Sequence, residues 1–251
     1  MSTFLQLNMH KASAASAEIN KRAIAEKLDI FLLTEPYSVK NKVVTLPKNY
    51  QLFPVSPQEH TPRAAILVRN HFTVVHLDHL SNSDCTVVLI KQDQLSYMVA
   101  SVYLDITKDP IPSWLIQISE YAESKHYPLI LGVDSNAHSE IFGSPTTNPW
   151  GEAVEDFIIE HGLDIANEGT TPTFETLRLE RCISFIIDIT LTRSIAVHNW
   201  RVDQSFNGSD HNSILFNIEA RVEEKTRIRP WKKCNWGVFS QVLNDLSLIH
   251  I

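Results

Sequence analysis

The feature that most constrains the fold of this chain is a series of short apolar runs that end at polar residues. The runs DIFLLT (residues 29–34) and LILGV (residues 129–133) show no alternation, which is typical of strands buried on both faces. Comparable strand-like runs occur at residues 4–8, 64–68, 72–77, 86–90, 97–103, 183–191, 197–202 and 214–218. So many strands with few helices predict a core of two packed sheets covered by helices.

Three segments have the apolar periodicity of helices, at residues 13–28, 112–124 and 152–161. In the first segment, Ala14 and Ile24 belong to the predicted buried face. In the third segment, Val154 and Phe157 are predicted to point inward.

Size and cysteine content bound the class of protein. A chain of 251 residues suits one large domain or one domain plus a tail, and it builds a core without disulfide or metal support. The cysteines Cys85, Cys182 and Cys234 form no CxxC pair, so we expect reduced thiols in an intracellular protein. The first residues lack the pattern of a secretory signal. No apolar run approaches the roughly 20 residues of a membrane-spanning helix.

Charge is unevenly spread along the chain, whose net charge is −7. Residues 1–220 carry 16 basic and 26 acidic side chains, whereas RVEEKTRIRPWKK (residues 221–233) holds six basic and two acidic ones. The acidic balance disfavours strong non-specific binding of nucleic acid, because phosphate contacts need Lys and Arg. The basic segment predicts either a solvated linker or a DNA contact after residue 220.

Polar side chains recur where the predicted strands end. Glu35 follows DIFLLT, and Asp134 and Asn136 follow LILGV with a spacing that puts both on one side of an extended segment. Asp188 lies inside FIIDITL, where a carboxylate requires a partner or a metal. The same set includes Asn8, Tyr103, Ser209, Asp210 and His211. Since sheet enzymes place their chemistry at strand ends, the set predicts one site.

Each of these residues also has a purely structural interpretation. Asn8 and Asp134 can satisfy turns, Glu35 can be a solvated charge, and Tyr103 can be a core residue with a hydrogen-bonded hydroxyl. The recurrence of the set at successive strand ends favours a site over these separate explanations.

No other catalytic template is present, since the chain contains no GxSxG, GxxxxGK[ST], HExxH or GxGxxG. His76 and His79 flank Asp78 and raise the alternative of a metal site, but we interpret them as solvated side chains at a strand end. We interpret His10 in the same way.

A set of short motifs, in a fixed order, gives the chain a resemblance to a known family. Between residues 3 and 218 the motifs are LQLNMHKASAASAEI, LLTEPY, RAAILV, ASVY, GVDSNAHS, TPTF, IIDITL, HNWRV and SDHNSILF. Together they resemble the endonuclease/exonuclease/phosphatase superfamily. They look most like the apurinic-endonuclease-like endonuclease domain of non-LTR retrotransposons of the R1 and TRAS-like group. Any single motif would be weak.

The resemblance implies an α/β fold, namely a DNase I-like, four-layered sandwich of two packed, mainly antiparallel sheets with helices outside. It implies an endonuclease domain at residues 1–220, then a basic connector and the start of a truncated segment at residues 221–251. The implied partners are a double-stranded DNA target and the reverse transcriptase domain of the same element, with no membrane. The implied location is intracellular, in the nucleus during action on DNA and in the cytoplasm before import.

The resemblance also implies a metal site and its support. Glu35, Asn8 and Asp210 would hold a divalent metal, Mg²⁺ or alternatively Mn²⁺. Thr173 and Ser209 would supply supporting hydrogen bonds. One or two carboxylates, completed by waters and phosphate oxygens, are what Mg²⁺ prefers.

The catalytic roles implied by the resemblance fall on five residues. Asp134 and Asn136 would position or deprotonate the attacking water, and Tyr103 would contact the scissile phosphate. Asp188 would orient His211, which would contact the phosphate as a charged imidazole. The sequence leaves open whether Asp134 or the Asp188–His211 pair is the general base.

The loop after GVDSNAHS departs from the family pattern. The family often has N-x-R-G there, whereas this chain has Trp150 in place of the arginine. This puts a salt bridge or DNA contact at that position in doubt. Stacking on a base is one alternative, and we expect a packed loop anchor instead. We also expect a structural role for Ser135, and for His138 either support of the loop or a contact with the edge of the DNA.

Three functions remain open at this point. The first is a divalent-metal-dependent DNA endonuclease that leaves a 3′-hydroxyl for target-primed reverse transcription. The second is a phosphoesterase or RNA nuclease of the same superfamily, and the third is a non-cutting relic that binds nucleic acid or protein. The presence of every expected site residue favours the first.

Overall fold

Two six-stranded sheets form the centre of the computed structural model, which describes residues 1–44, 47–54, 60–92, 95–178 and 181–219. The predicted connector at residues 221–251 lies outside the described residues. With strands numbered in chain order, the first sheet runs β15 (Val197–Asp203), β16 (Ser213–Ile218), β1 (Ser2–Asn8), β2 (Ile30–Thr34), β6 (Ala64–Arg69), β5 (Tyr50–Pro54). The second runs β11 (Asp164–Ile165), β14 (Asp188–Arg193), β10 (Leu129–Asp134), β9 (Leu95–Tyr103), β8 (Cys85–Gln92), β7 (Thr73–His76).

Two small hairpins, three α-helices and two 3₁₀-helices (Asp78–Leu80 and Glu140–Phe142) complete the regular structure of the described residues. The hairpins are β3 (Ser38–Val39) with β4 (Lys42–Val43), and β12 (Phe174–Arg178) with β13 (Arg181–Phe185). The α-helices are α1 (Ser13–Ala25), α2 (Ser113–Ser124) and α3 (Pro149–Glu160). None of the helices in the described ranges combines the length and apolarity needed to cross a bilayer.

The strand pairing is mainly antiparallel, with one parallel pair in each sheet. β1 pairs in parallel with β2, and β9 pairs in parallel with β10. A parallel pair needs a crossover, and here α1 and α2 provide it. The prediction of two mainly antiparallel sheets is therefore confirmed.

The packing of β2 shows why its sequence is apolar throughout. Ile30 and Leu32 lie in a core between the two sheets, together with Ile130 of the second sheet. Phe31 lies on the opposite face, in a separate core with Ile19 of α1. Since alternate residues of a strand face opposite layers, both faces must be apolar.

The outer face of the second sheet is covered by α2 and α3. Leu131 of β10 belongs to one buried cluster with Ile118 of α2 and with Val154 and Phe157 of α3. The predicted inward positions of α3 are confirmed. With α1 on the other side, the layers run helix, sheet, sheet, helices, which is the four-layered α/β sandwich implied by the resemblance.

The predicted buried face of α1 was wrong. Ile24 is 81% exposed, while Ile19 and Arg22 are buried. Arg22 donates hydrogen bonds to Glu26 and to Asp203, the last residue of β15. Because these ion pairs give the guanidinium buried partners, Arg22 lies on the buried face of the helix. A pattern of apolar residues alone does not predict this face.

The single strand predicted at residues 183–191 is two strands. The chain leaves β13 after Phe185 and enters β14 at Asp188. The backbone N–H groups of Ile187 and Asp188 both donate to the Thr173 hydroxyl at 3.0 Å instead of to a neighbouring strand. Asp188 therefore begins a strand, whereas the sequence prediction placed it within one.

Candidate active site

Strand register in the second sheet places three predicted site residues side by side. Asp134, at the end of β10, is the direct partner of Tyr103 on β9 and of Asp188 on β14. The parallel and antiparallel neighbours of β10 thus deliver their side chains to the same edge.

The first sheet brings its own residues to the same place. Asn8 ends β1 opposite Thr34 of β2, and Glu35 follows directly. The chain that leads into β16 passes through Ser209, whose hydroxyl donates to the Asn8 carbonyl at 2.7 Å. It then reaches His211, two residues before the strand begins.

Asn8 joins the two sheet edges. Its amide donates to Asp134 Oδ2 at 2.7 Å and makes a long contact of 3.5 Å with Glu35 Oε2. Its side-chain oxygen, Oδ1, accepts a hydrogen bond from the His10 backbone N–H at 2.7 Å. Because Asn8 is only 3% exposed, these bonds fix its amide and hold the two carboxylates at one site.

A buried half of the site consists of Asp134, Asp188 and His211, which are 2%, 2% and 5% exposed. Asp188 Oδ2 lies 2.8 Å from His211 Nδ1. Burial opposes the charged imidazole, but the attraction of Asp188, aided by Asp134, outweighs it and raises the pKa of His211 to about 9. The raised pKa favours the imidazolium form of His211 at neutral pH.

Asp134 has the opposite tendency. Burial first, and then the charge of Asp188, raise the pKa of its carboxyl to about 7, although His211 and the Asn8 hydrogen bond favour the ionised form. Its Oδ1 is buried without a hydrogen-bond partner among the described residues. An unpaired carboxylate oxygen with a pKa near neutrality suits a group that holds and deprotonates a water.

Thr173 and Ser209 make hydrogen bonds next to the buried residues. The Thr173 hydroxyl accepts a hydrogen bond from the Asp188 backbone N–H and so holds the start of β14 in place. Ser209 Oγ accepts from the His211 backbone N–H at 3.2 Å as it donates to Asn8. The ring of Phe174 packs edge-on against the imidazole, with 5.0 Å between centroids.

Asn136 reaches the site by a different route from the one predicted. The strand ends at Asp134, and Asn136 has φ +50°, so simple alternation does not apply to it. Its amide donates to the Leu104 carbonyl at 3.0 Å, which places it beside the end of β9. Ser135 is buried and donates to the Ile187 carbonyl, so its expected structural role is confirmed.

Tyr103 is held by a cluster that the sequence prediction did not identify. The Arg63 guanidinium lies over its ring at 4.8 Å, 2.6 Å from Asp84 Oδ1 and 2.7 Å from Asp105 Oδ2. Burial and the charge of Glu35 raise the pKa of Tyr103 to about 12. Tyr103 is therefore a neutral hydrogen-bond donor at the site. Arg63 opens the motif RAAILV and was therefore visible in the sequence, but the sequence analysis gave it no role.

An open half of the site consists of Glu35 and Asp210 with His10 and Lys11. Lys11 Nζ lies 2.9 Å from Glu35 Oε1, and His10 Nδ1 lies 2.9 Å from Asp210 Oδ1. His10 is 63% exposed, as expected of a solvated imidazole, but its contact with Asp210 was not predicted. Nothing in its local sequence pattern revealed the contact, because Asp210 is 200 residues away in the chain.

The donor set suits a hard divalent cation, although no group of three or more His, Cys, Asp or Glu among the described residues is arranged to hold a metal by itself. Glu35 and Asp210 each offer a carboxylate, whereas the Asn8 amide turns its N–H to the carboxylates of Asp134 and Glu35 and its oxygen to the His10 N–H. A single carboxylate with waters and substrate oxygens is enough for Mg²⁺. The residues present therefore fit the metal implied by the resemblance.

Trp150 has the structural role that we expected, and His138 packs against the end of β13. The Trp150 indole N–H donates to the Ser135 carbonyl at 3.0 Å, and its ring packs on the core beneath the second sheet. His138 packs edge-on against Phe185 at 4.5 Å.

Comparison with known proteins links this geometry to mobile elements. A family described as "Endonuclease-reverse transcriptase" matches residues 97–215. The endonuclease domain of TRAS1, a telomere-specific non-LTR retrotransposon, is 31% identical, with a TM-score of 0.76. That match covers 90% of this chain and all of the TRAS1 domain.

Two further matches extend the picture. The 115 kDa protein of the type-1 retrotransposable element R1DM of Drosophila melanogaster is 25% identical over 96% of this chain, which spans 25% of that protein's length. The AP endonuclease LMAP of Leishmania major is 10% identical, covers 86% of each chain and has a TM-score of 0.65. The second match shows a shared fold.

Proposed function

Because this chain belongs to the endonuclease domains of non-LTR retrotransposons, within the endonuclease/exonuclease/phosphatase superfamily, we propose that it nicks double-stranded DNA in a divalent-metal-dependent reaction. The product is a 3′-hydroxyl that primes reverse transcription. The observation that carries the proposal is the Asn8–Asp134 hydrogen bond of 2.7 Å, which joins the candidate metal ligands to the buried half.

The buried half performs the proton chemistry of this proposal. Asp134, with a pKa of about 7, takes the proton of the attacking water, and Asn136 helps to position that water. His211, with a pKa of about 9, is already protonated at neutral pH and cannot be the base. It contacts a phosphoryl oxygen as a cation, oriented by Asp188. The two pKa values favour Asp134 as the base over the Asp188–His211 pair.

The open half and Tyr103 complete the proposed site. Glu35, Asn8 and Asp210 would hold Mg²⁺, with Mn²⁺ as an alternative. A bound metal would supply positive charge to the phosphate oxygens and to the leaving oxygen. The Tyr103 hydroxyl donates a hydrogen bond to the scissile phosphate. Its neutral state is secured by a pKa of about 12.

The wider setting is part of the proposal. Residues 1–220 form the endonuclease domain, and residues 221–251 are a basic connector to a following segment. The partners are the DNA target and the reverse transcriptase domain of the same element. The chain acts in the nucleus after synthesis in the cytoplasm. A tethered nicking domain needs little affinity of its own, which reconciles its acidic composition with a DNA substrate.

Nicking of a supercoiled plasmid tests the proposal. Wild-type protein with Mg²⁺ should give open circles, EDTA should prevent them, and a DNA polymerase should extend the nicked ends without prior phosphatase treatment. Cleavage of RNA or of a phosphomonoester in place of DNA would favour a different activity in the same superfamily. Folded protein that binds DNA without cutting it would make the chain a binding relic.

A further inference from the structure

The turn after β1 supplies the Lys11 ammonium and the His10 imidazole to the two carboxylates of the open half. Lys11 lies against Glu35 and His10 against Asp210, each at 2.9 Å. The side chains of Lys11 and His10 are 60% and 63% exposed, while those of Glu35 and Asp210 are 15% and 24% exposed. Solvated side chains therefore cover carboxylates that are much less accessible.

The backbone of this turn is built to place Lys11 there. His10 and Lys11 have φ +47° and +54°, and Glu35 has φ +44°, a region that residues other than glycine rarely adopt. The Lys11 N–H donates to the Glu35 carbonyl at 2.8 Å, so the two residues are tied through both backbone and side chain. Left-handed residues of this kind persist where the surrounding structure holds them, and they cluster at functional sites.

We propose that Lys11 is an exchangeable cation of the site, which neutralises Glu35 before the metal binds and turns to a DNA phosphate once Glu35 holds the metal. The inference rests on the proposed function, because it takes Glu35 to be a metal ligand. A lysine suits the exchange, since its ammonium carries three donors on a flexible four-carbon stem. Glu35 cannot serve the ammonium and a divalent ion through the same oxygen.

The first test measures metal binding in the absence of DNA. Electron paramagnetic resonance reports the free Mn²⁺ in titrations of wild type and Lys11→Met. Loss of an exposed ion pair that competes with the metal should tighten Mn²⁺ binding by about twofold to fivefold. The gain must disappear in Lys11→Met combined with Glu35→Gln, which shows that it arises at Glu35.

A matched control exists on α1. Lys21 forms an ion pair with Glu18 at 3.3 Å, with side-chain exposures of 75% and 18%. These values resemble those of Lys11 and Glu35, but this pair lies within α1 and includes no residue of the candidate site. Lys21→Met should leave Mn²⁺ affinity unchanged.

The second test measures DNA binding as a function of salt, in a His211→Ala background to prevent cutting. With Mn²⁺ present, Lys11→Met should lower the salt dependence by about one counterion, the contribution of one phosphate contact. With EDTA present, the same substitution should have no effect, because Lys11 then stays on Glu35.

These measurements separate the two proposals. If wild type nicks DNA but Lys11→Met changes neither Mn²⁺ affinity nor the salt dependence, Lys11 is only a surface ion pair and the inference is overturned. If wild type neither binds Mn²⁺ nor nicks, the proposed function fails first.

Discussion

The two halves of the candidate site are built in contrasting ways. In the buried half, Asp134, Asp188 and His211 lie on or next to sheet strands and are at most 5% exposed; Asp188 bonds to His211, and Asp134 accepts from Asn8. In the open half, Glu35 and Asp210 follow strands or turns and bond to solvated side chains. One half is fixed by strand register and the other by turns.

The proposed mechanism gives each half a different task. Fixed, buried groups hold the pKa values of His211 and Asp134 where proton transfer and anion binding need them. Solvated groups with exchangeable partners can accept a metal and a DNA phosphate in turn. The predictions below test whether the tasks divide in this way.

The largest effect is expected from removal of a buried group. His211→Ala and Asp134→Ala should each lower the plasmid-nicking rate at least about a hundredfold, which is on the order of what positioned acid–base groups contribute. Circular dichroism should show both variants to be folded. Near wild-type nicking by either variant would remove that residue from the chemistry.

Asp188→Asn should change the pH dependence of nicking as well as its rate. Wild type needs ionised Asp134 and charged His211, so its rate should rise towards pH 7 and fall above pH 9. Asp188 raises the pKa of both groups, so its neutralisation should move both limbs of the profile to lower pH. Nicking at pH 8 should fall strongly, because burial then favours the neutral imidazole.

An unshifted pH profile in Asp188→Asn would contradict the claim that the Asp188 carboxylate raises the pKa of His211. Nuclear magnetic resonance of the imidazole checks the same point without substrate, since the pKa of His211 should fall below its ordinary value of about 6.5.

A smaller effect is expected from Arg63→Met, which frees the ring of Tyr103 without touching either half. The loss of a stacked guanidinium should misplace the phenol and reduce nicking by on the order of tenfold. Asp84 is buried and loses a partner, so the free energy of unfolding should fall by roughly 1–3 kcal/mol in urea denaturation. Arg63→Lys should restore part of the stability but less of the rate, because it lacks the planar group. Equal recovery of both would point to a purely structural role.

The smallest effect is expected from Trp150→Phe, which keeps the packing and removes the bond to the Ser135 carbonyl. Stability should fall by about 1 kcal/mol and nicking should stay within a factor of two. A large loss of DNA affinity would instead show that Trp150 stacks on a base.

Much of the fold could be predicted because the cause lies in local pattern. The apolar run at β2 packs on two faces, and the periodicity of α3 matches its buried side. The face of α1 could not be predicted, because Arg22 is buried by a partner 181 residues away. The break before Asp188 was hidden because a threonine hydroxyl replaces the strand hydrogen bonds there.

The site divides along the same line. The buried half was predictable because strand-end acids and the Ser209–His211 segment form ordered motifs. Contacts between residues that are distant in sequence place His10, Lys11 and the Arg63 cluster at the site. The spacing of residues along the chain does not predict such contacts. The prediction for Asn136 assumed an extended backbone, in which residues two apart point the same way. Its positive φ breaks this alternation.

Nicking measured as a function of Mg²⁺ concentration tests the division of the site most directly. Glu35→Gln should require much more Mg²⁺ but regain rate at high concentration, whereas His211→Ala should stay slow at every concentration. Recovery of His211→Ala by added Mg²⁺, or a slow Glu35→Gln with an unchanged Mg²⁺ requirement, would contradict the account.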